Sequence, residues 1–259
     1  MKLRLRNFKV ETVCEHALCP NMEECFNRGQ VTFLILGSIC TRRCSFCNIE
    51  KAKPLPLDLE EPRRVALAVR QLGLKHVVVT SVTRDDLSDG GAEVFAQTIK
   101  AIRNESEQTR IEALIPDFKF SNDALKVAMS AAPDILAHNL ETVPSLYKKV
   151  RHGADYLGSL NLLRQAKSLS ANLKVKSGLM VGLGESAEEV LAVMEDLRAV
   201  GCDYLTVGQY LAPSKSHHPV IDYITLEQFA DYKKKAQELG FLHIECAPYV
   251  RSSYMAARY

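Results

Sequence analysis

From Val31 to Cys246, short apolar runs alternate with longer amphipathic stretches, and no other feature constrains the fold of this 259-residue chain as tightly. The runs are 31–37, 76–82, 110–115, 134–140, 173–181, 204–208 and 243–245. They read as continuous apolar segments, as strands covered on both faces do. Between them, residues 58–73, 92–103, 157–169 and the stretch after Ser121 carry helical spacing. Ser186 with Glu189 and Thr225 with Gln228 form capping boxes that open two more helices, closed by Gly201 and Gly240. No Pro/Gly/Ser linker or low-complexity tract divides the chain. The expected fold is therefore α/β, a partial parallel (βα)6-type TIM-like barrel over residues 31–240 of a single domain 1–259. Residues 1–30 and 241–259 flank it as extensions, and the alternation in Met1–Arg6 predicts a short edge strand.

Sites in such barrels lie where the strands end. Directly after the first run stands Cys40-Thr41-Arg42-Arg43-Cys44-Ser45-Phe46-Cys47. Three thiolates this close can wrap a four-iron cube and leave one corner open for chemistry. Phe46 is placed to shield such a cluster and tune its potential. Cys44 and Cys47 alone also fit a zinc site or a thioredoxin-like redox pair. Upstream, Cys14-x4-Cys19-x5-Cys25 offers a second thiolate triad in a segment expected to be irregular. A zinc knuckle using His16 and a second cluster both remain open there. Six of the eight cysteines fall within residues 14–47, which reads as metal binding in a cytoplasmic-type enzyme rather than a disulfide framework.

Polar residues recur at the predicted strand ends: Thr80, Ser81, Asn139, Glu141, Lys176 and Gln209. One such residue is turn chemistry; one at nearly every strand is a ligand site. Residues 85–93 form a Gly-Gly loop that opens a helix. His138, His152, His217, His218 and His243 read as core or surface histidines, and Cys202 as a buried structural thiol. Lys148, Lys149 and Arg151 form one basic cluster and Lys233–Lys235 another; both read by default as solvated helix faces, and the first, nearer the predicted site end, is also placed to touch an acidic protein substrate. The net charge of +2 gives no bulk electrostatic case for nucleic acid. No apolar run approaches the roughly 18 residues of a membrane span.

The C-x3-C-x2-C spacing of Cys40, Cys44 and Cys47 resembles the signature of the radical S-adenosylmethionine (SAM) enzymes. With the Cys14/Cys19/Cys25 triad before it and Arg251-Ser252-Ser253-Tyr254 near the end, the chain resembles the lipoyl synthase family, over about Val13 to Ala256. Thr80-Ser81-Val82, Ile115-Pro116-Asp117-Phe118, His138–Pro144 and Gly208-Gln209-Tyr210-Leu211 belong to the resemblance. Gly178-Leu179-Met180-Val181-Gly182-Leu183-Gly184-Glu185 resembles the element near the adenine, with Met180 at its isoleucine position.

The resemblance implies two [4Fe–4S] clusters, one on Cys40, Cys44 and Cys47 that binds SAM, and an auxiliary one on Cys14, Cys19, Cys25 and Ser253. It implies catalytic roles for Cys40, Cys44, Cys47 and Ser253, and a SAM pocket drawn from Phe46, Thr80, Ser81, Asn139, Glu141, Lys176, Met180 and Gln209. The activity implied is insertion of two sulfur atoms into an octanoyl group on a lysine of a lipoyl carrier domain, a glycine cleavage H protein or a 2-oxoacid dehydrogenase E2 subunit. Ferredoxin or flavodoxin as electron donor and iron–sulfur carrier proteins are implied as further partners, without nucleic acid or membrane. Another two-cluster radical SAM sulfur-inserting enzyme and a zinc-stabilised binding module are the alternatives. The segment before Cys14 is shorter than the family's usual one, so part of the substrate contact is expected to be absent or supplied differently. Cys246 stands where the family usually has no cysteine. In an extended tail, side-chain alternation would point Ser252 away from Ser253.

Overall fold

Every apolar run read from the sequence is a strand in the computed structural model, which describes residues 1–170 and 172–258. The C-terminal Tyr259 of the predicted tail lies outside the described residues. The chain forms two compact units. The first comprises Met1–Arg42, Asn48–Leu136 and Met255–Arg258, and the second Arg43–Cys47 and Ala137–Tyr254.

The first unit opens with helix α1 (Lys2–Asn7), where an edge strand was expected. Leu5 is buried but Leu3 is 76% exposed, so the alternation has no sheet face to bury. Lys, Leu and Arg, none of them branched at Cβ, then favour the helix. Strand β1 (Glu11–Thr12) pairs antiparallel with β2 (Thr32–Ile35). The cysteine segment between them is not irregular: it holds α2 (Val13–His16) and α3 (Met22–Asn27). Two short strands, β3 (Ile39–Cys40) and β4 (Glu50–Lys51), pair with each other. Helix α4 (Glu61–Leu72) follows, with Pro62 in its first turn. Next come β5 (His76–Ser81), α5 (Ala92–Glu105), β6 (Arg110–Leu114) and α6 (Asn122–Met129), the last capped by Ser121 as read from the sequence. Strands β2, β5 and β6 run parallel, Leu34 opposite Thr80 and Val79 opposite Ala113. Phe33, Val77, Val79, Phe95, Ile99 and Ile111 are fully buried around them. Each such side chain contributes about 1.5–3 kcal/mol of transfer free energy.

Strand β7 (Ile135–Ala137) ends where the second unit begins. That unit continues with α7 (Tyr147–Val150), α8 (Tyr156–Leu169), β8 (Lys174–Val181), α9 (Ala187–Ala199), β9 (Tyr204–Gln209), α10 (Leu226–Glu238) and β10 (His243–Cys246). Strands β8, β9 and β10 are parallel neighbours. The Ser186/Glu189 capping box is present, and Thr225 accepts the Gln228 N–H at 3.1 Å. Two expectations are corrected here. Lys176 is the third residue of β8, opposite Tyr204 and fully buried, not at the strand's end, because the strand runs on through the apolar 178–181. The tail is not extended: Tyr254 N–H donates to the Arg251 carbonyl at 2.9 Å, so Ser252 and Ser253 sit inside a turn and the alternation argument does not apply.

Candidate functional site

The auxiliary triad is assembled by local chain geometry within the first unit. Thr12 caps α2 by accepting the Glu15 N–H at 3.3 Å, which sets Cys14 in the helix's first turn. Leu18 takes a left-handed φ of 51°, and the returning Cys19 N–H donates to the Cys14 carbonyl at 3.0 Å. Cys25 N–H then donates to Asn21 at 2.9 Å as α3 starts. Cys14 feels the charge of Cys19, and Cys25 that of both. Burial pushes the Cys14 thiol up, and Cys19 adds to it. Cys25 is pushed up to about 11 by burial, then by Cys19, Cys14 and Glu24. Mutually repelling thiolates are stable together only beside a cation, which is the donor set an iron–sulfur cluster needs. Among the described residues no three His, Cys, Asp or Glu converge on a point for one metal ion. Thiolates around a cube each hold a different iron and have no reason to converge.

The second cysteine loop leaves β2 through Leu36 and Gly37, both at positive φ (68° and 81°). Leu36 N–H is held by the Glu61 carboxylate at 2.7 Å and its carbonyl by Arg84 at 3.2 Å. Cys40 closes β3, and the Arg42 N–H points at its Sγ from 3.4 Å. The Arg42 guanidinium forks onto Asp85 (2.8 and 2.9 Å) and onto Asp117 through both terminal nitrogens. Thr41 donates from its backbone to the Thr83 carbonyl at 3.0 Å, so the cysteine loop is tied to the loop at 85–93. There Asp89 accepts the Gly91 and Glu93 N–H groups, both at 2.9 Å, at the start of α5.

Cys44 and Cys47 belong to the second unit, where the Cys47 N–H donates to the Cys44 carbonyl at 3.3 Å. Ser45 donates from its backbone to Val150 at 2.9 Å and from its hydroxyl to Lys149 at 3.1 Å, and accepts the His218 N–H at 2.9 Å. Phe46 packs on Val150, Leu183 and Tyr210 with Met180, so two of the predicted pocket residues share one apolar cluster.

Asn139 and Glu141, which follow β7, are joined at 3.0 Å. Burial pushes the Glu141 carboxyl up, against the pull of Arg151 and Asn139. Arg151 donates to the Tyr147 hydroxyl at 2.9 Å and to Ser159 at 3.2 Å, so its head turns inward and the residue is partly buried rather than part of a solvated face. Gly178 lets this network close: a Cβ there would lie 2.7 Å from Thr206 Oγ1 and 2.9 Å from Asn139 Oδ1. The tail reaches the same place, Ser252 donating to Asn139 Oδ1 at 3.0 Å.

The remaining strand-end residues separate into two kinds. The buried Ser81 hydroxyl has no hydrogen-bond partner, which fits a polar ligand at the end of β5. Thr80 donates to the Leu114 carbonyl at 2.9 Å, and Gln209 spends its amide on Asp222 and Ile224, both at 2.9 Å. Cys246 turns its Sγ to the Phe229 carbonyl at 3.2 Å on α10, and burial pushes it up to about 12. Arg42, Asp85, Asp117, Arg151 and Thr206 were missed as site residues, although all lie inside stretches read from the sequence, Thr206 only within a strand.

The Radical SAM superfamily model matches residues 34–197. The chain is 58% identical over 255 residues to a lipoyl synthase of Geobacter sp. (strain M21), covering 98% of this chain and 87% of that one. It is 54% identical over 252 residues to a lipoyl synthase of Caldicellulosiruptor saccharolyticus, covering 97% and 88%. Its fold is similar to that of methylornithine synthase (TM-score 0.61, 16% identity, 94% of this chain and 81% of that one). It is also similar to HydG, a maturase of the [FeFe]-hydrogenase (0.62, 16%, 88% and 61%). The α/β, partial TIM-like barrel reading is borne out by these neighbours.

Proposed function

The chain belongs to the lipoyl synthase family of the radical SAM superfamily, and from that membership we propose how its own residues share the work. Its activity is the radical SAM-dependent insertion of two sulfur atoms into an octanoyl group on a lipoyl carrier domain. Its cofactors are [4Fe–4S] clusters and SAM, which when bound supply a hydrogen-abstracting 5′-deoxyadenosyl radical and the sulfur.

The residue assignment rests foremost on the local hydrogen bonds that turn α2 back into α3 and bring Cys14, Cys19 and Cys25 into one short, folded segment. They are the auxiliary ligands, with Ser253 as the fourth. Cys40, Cys44 and Cys47 are the ligands of the SAM cluster. Ser253 would hold that corner through an oxygen, a harder ligand than thiolate that would leave iron more readily. Phe46 and Met180 form the dry wall of the SAM site, Ser81 offers it an unspent hydroxyl, and Asn139 with Glu141 orients polar groups there. Thr80, Gln209 and the buried Lys176 brace the strands behind it.

The octanoyl group rides on a glycine cleavage H protein or a 2-oxoacid dehydrogenase E2 subunit. A ferredoxin or flavodoxin supplies electrons, and iron–sulfur carrier proteins supply clusters. No helix among the described residues is long and apolar enough to cross a membrane, and we place the enzyme in the cytoplasm. Anaerobic reconstitution, then mass spectrometry of an octanoyl-lysine peptide incubated with SAM and reductant, tests the reading. A peptide carrying two added sulfurs is expected; unchanged peptide alongside active SAM cleavage would overturn it.

A further inference from the structure

A net charge of +2 hides an uneven surface. Three segments of the second unit meet, one of them the loop that carries Cys44 and Cys47. The loop itself, Arg43–Cys47, is held by Val150 and Lys149 of α7 and by the His218 N–H, all through Ser45. Inside, Phe46, Ala212 and Val220 from the loop and the third segment pack against one buried cluster that includes Val150 of the second. Residues 43–47, 147–154 and 211–220 contain Arg43, Lys148, Lys149, Arg151, Lys215 and three histidines, and not one carboxylate. Arg43, Lys148, Lys149, His152 and Lys215 are exposed. Arg151 is turned inward, so the outward charge comes from the other residues.

We propose that this cationic face is the docking surface for an acidic, one-electron carrier protein that reduces the SAM cluster. The inference rests on the assignment of Cys44 and Cys47 to that cluster. The corner that no cysteine holds would face SAM, so an electron would enter from the thiolate side. The Ser45 N–H donates to the Val150 carbonyl at 2.9 Å, which puts one peptide bond and one hydrogen bond between Cys44 and a backbone that directly follows two exposed lysines. In the step, the carrier's reduced flavin or iron–sulfur centre loses one electron and the cluster gains it; no bond forms and no proton moves. Redox encounters are small, transient and electrostatically steered, so a few exposed cations around a short path suffice.

The experiment uses the full chain, reconstituted anaerobically, and the Lys148→Glu/Lys149→Glu double variant. Both are mixed with reduced flavodoxin in stopped flow, and separately with dithionite, while cluster bleaching is followed. Binding of oxidised flavodoxin to the cluster-free proteins is measured in parallel. The variant is expected to bind flavodoxin more weakly and to be reduced by it about tenfold more slowly at low salt. The two proteins should converge at about 1 M salt, where the Debye length is about 3 Å. Reduction by dithionite should not slow. Equal flavodoxin rates for the two proteins overturn the proposal, as does an equal loss with dithionite. A variant with normal flavodoxin kinetics but a raised KM for an octanoylated carrier domain assigns the face to that partner instead. Wild-type protein in which no cluster on Cys40, Cys44 and Cys47 can be reduced by either reagent sinks the cluster assignment itself, and the docking surface with it.

Discussion

Arg42 spends its side chain on two carboxylates and its backbone on the Cys40 sulfur. Asp117 is wholly buried at its side chain and Arg42 is 12% exposed, so each depends on the other for its charge. Removing one partner of a buried pair costs about 3–5 kcal/mol. Arg42→Ala should therefore lower the melting temperature of the cluster-free protein by roughly 2–4 °C per kcal/mol lost. Arg42→Lys should recover only part of it, because an ammonium cannot fork onto two carboxylates. Unchanged melting in Arg42→Ala would remove the clamp. The sequence could not announce this pair of contacts, since Asp85 and Asp117 lie 43 and 75 residues beyond Arg42. Cysteine chemistry was more legible. Cys202 was read as structural, and burial holds its thiol up near about 12, as it does Cys246. The thiolate is the nucleophile, so a raised value means slower alkylation at pH 8. Mass spectrometry of the native, cluster-free protein after brief iodoacetamide treatment should find these two unlabelled when the half-exposed Cys19 is labelled. Early labelling of Cys246 would show that its contact with Phe229 does not hold in solution.

Between elements, β9 and the tail approach so closely that only glycine fits at position 208. A Cβ on Gly208 would overlap the Val250 carbonyl oxygen. The Gln209 N–H bonds the Pro248 carbonyl at 3.2 Å, so the strand carries the tail into its turn. Gly208→Ala should lift the Val250–Tyr254 segment and with it Ser253, at about 1–3 kcal/mol of overpacking. Its expected phenotype is that of Ser253→Ala: 5′-deoxyadenosine still forms, while sulfur-bearing product is lost. Assaying both products on one sample separates this from a general collapse; retained sulfur insertion would show that the tail's position is not critical. Strands and caps were readable because each is a local signal, an apolar run or a Ser-x-x-Glu. Helix α1 and the tail's turn were not, because period-two alternation means a strand only where a sheet face is there to cover it. Leu3 has none.

At the scale of the molecule, composition gave a near-neutral protein, while the structure gathers cations around one loop. Net charge sums over distances at which surface charges are screened, so it could not reveal a local face. The same separation of local from global governs the metal centres. Cys14, Cys19 and Cys25 all lie in the first unit, in two short helices joined by a turn, and their proximity needs no residue of the Cys40 loop. Each triad should thus load by itself. Fully reconstituted protein should hold about eight iron atoms per chain, and Cys40→Ala/Cys44→Ala/Cys47→Ala about four. The converse variant, Cys14→Ala/Cys19→Ala/Cys25→Ala, should also hold about four, still cleave SAM, and insert no sulfur. Iron and sulfide analysis with Mössbauer spectra of the three proteins reads the loading, and assays of 5′-deoxyadenosine and of sulfur-bearing product read the activities. Wild type saturating near four iron atoms would strip the Cys14 triad of its cluster. About one zinc per chain bound there would return it to the zinc-knuckle reading, and with it remove the sulfur donor from the first unit.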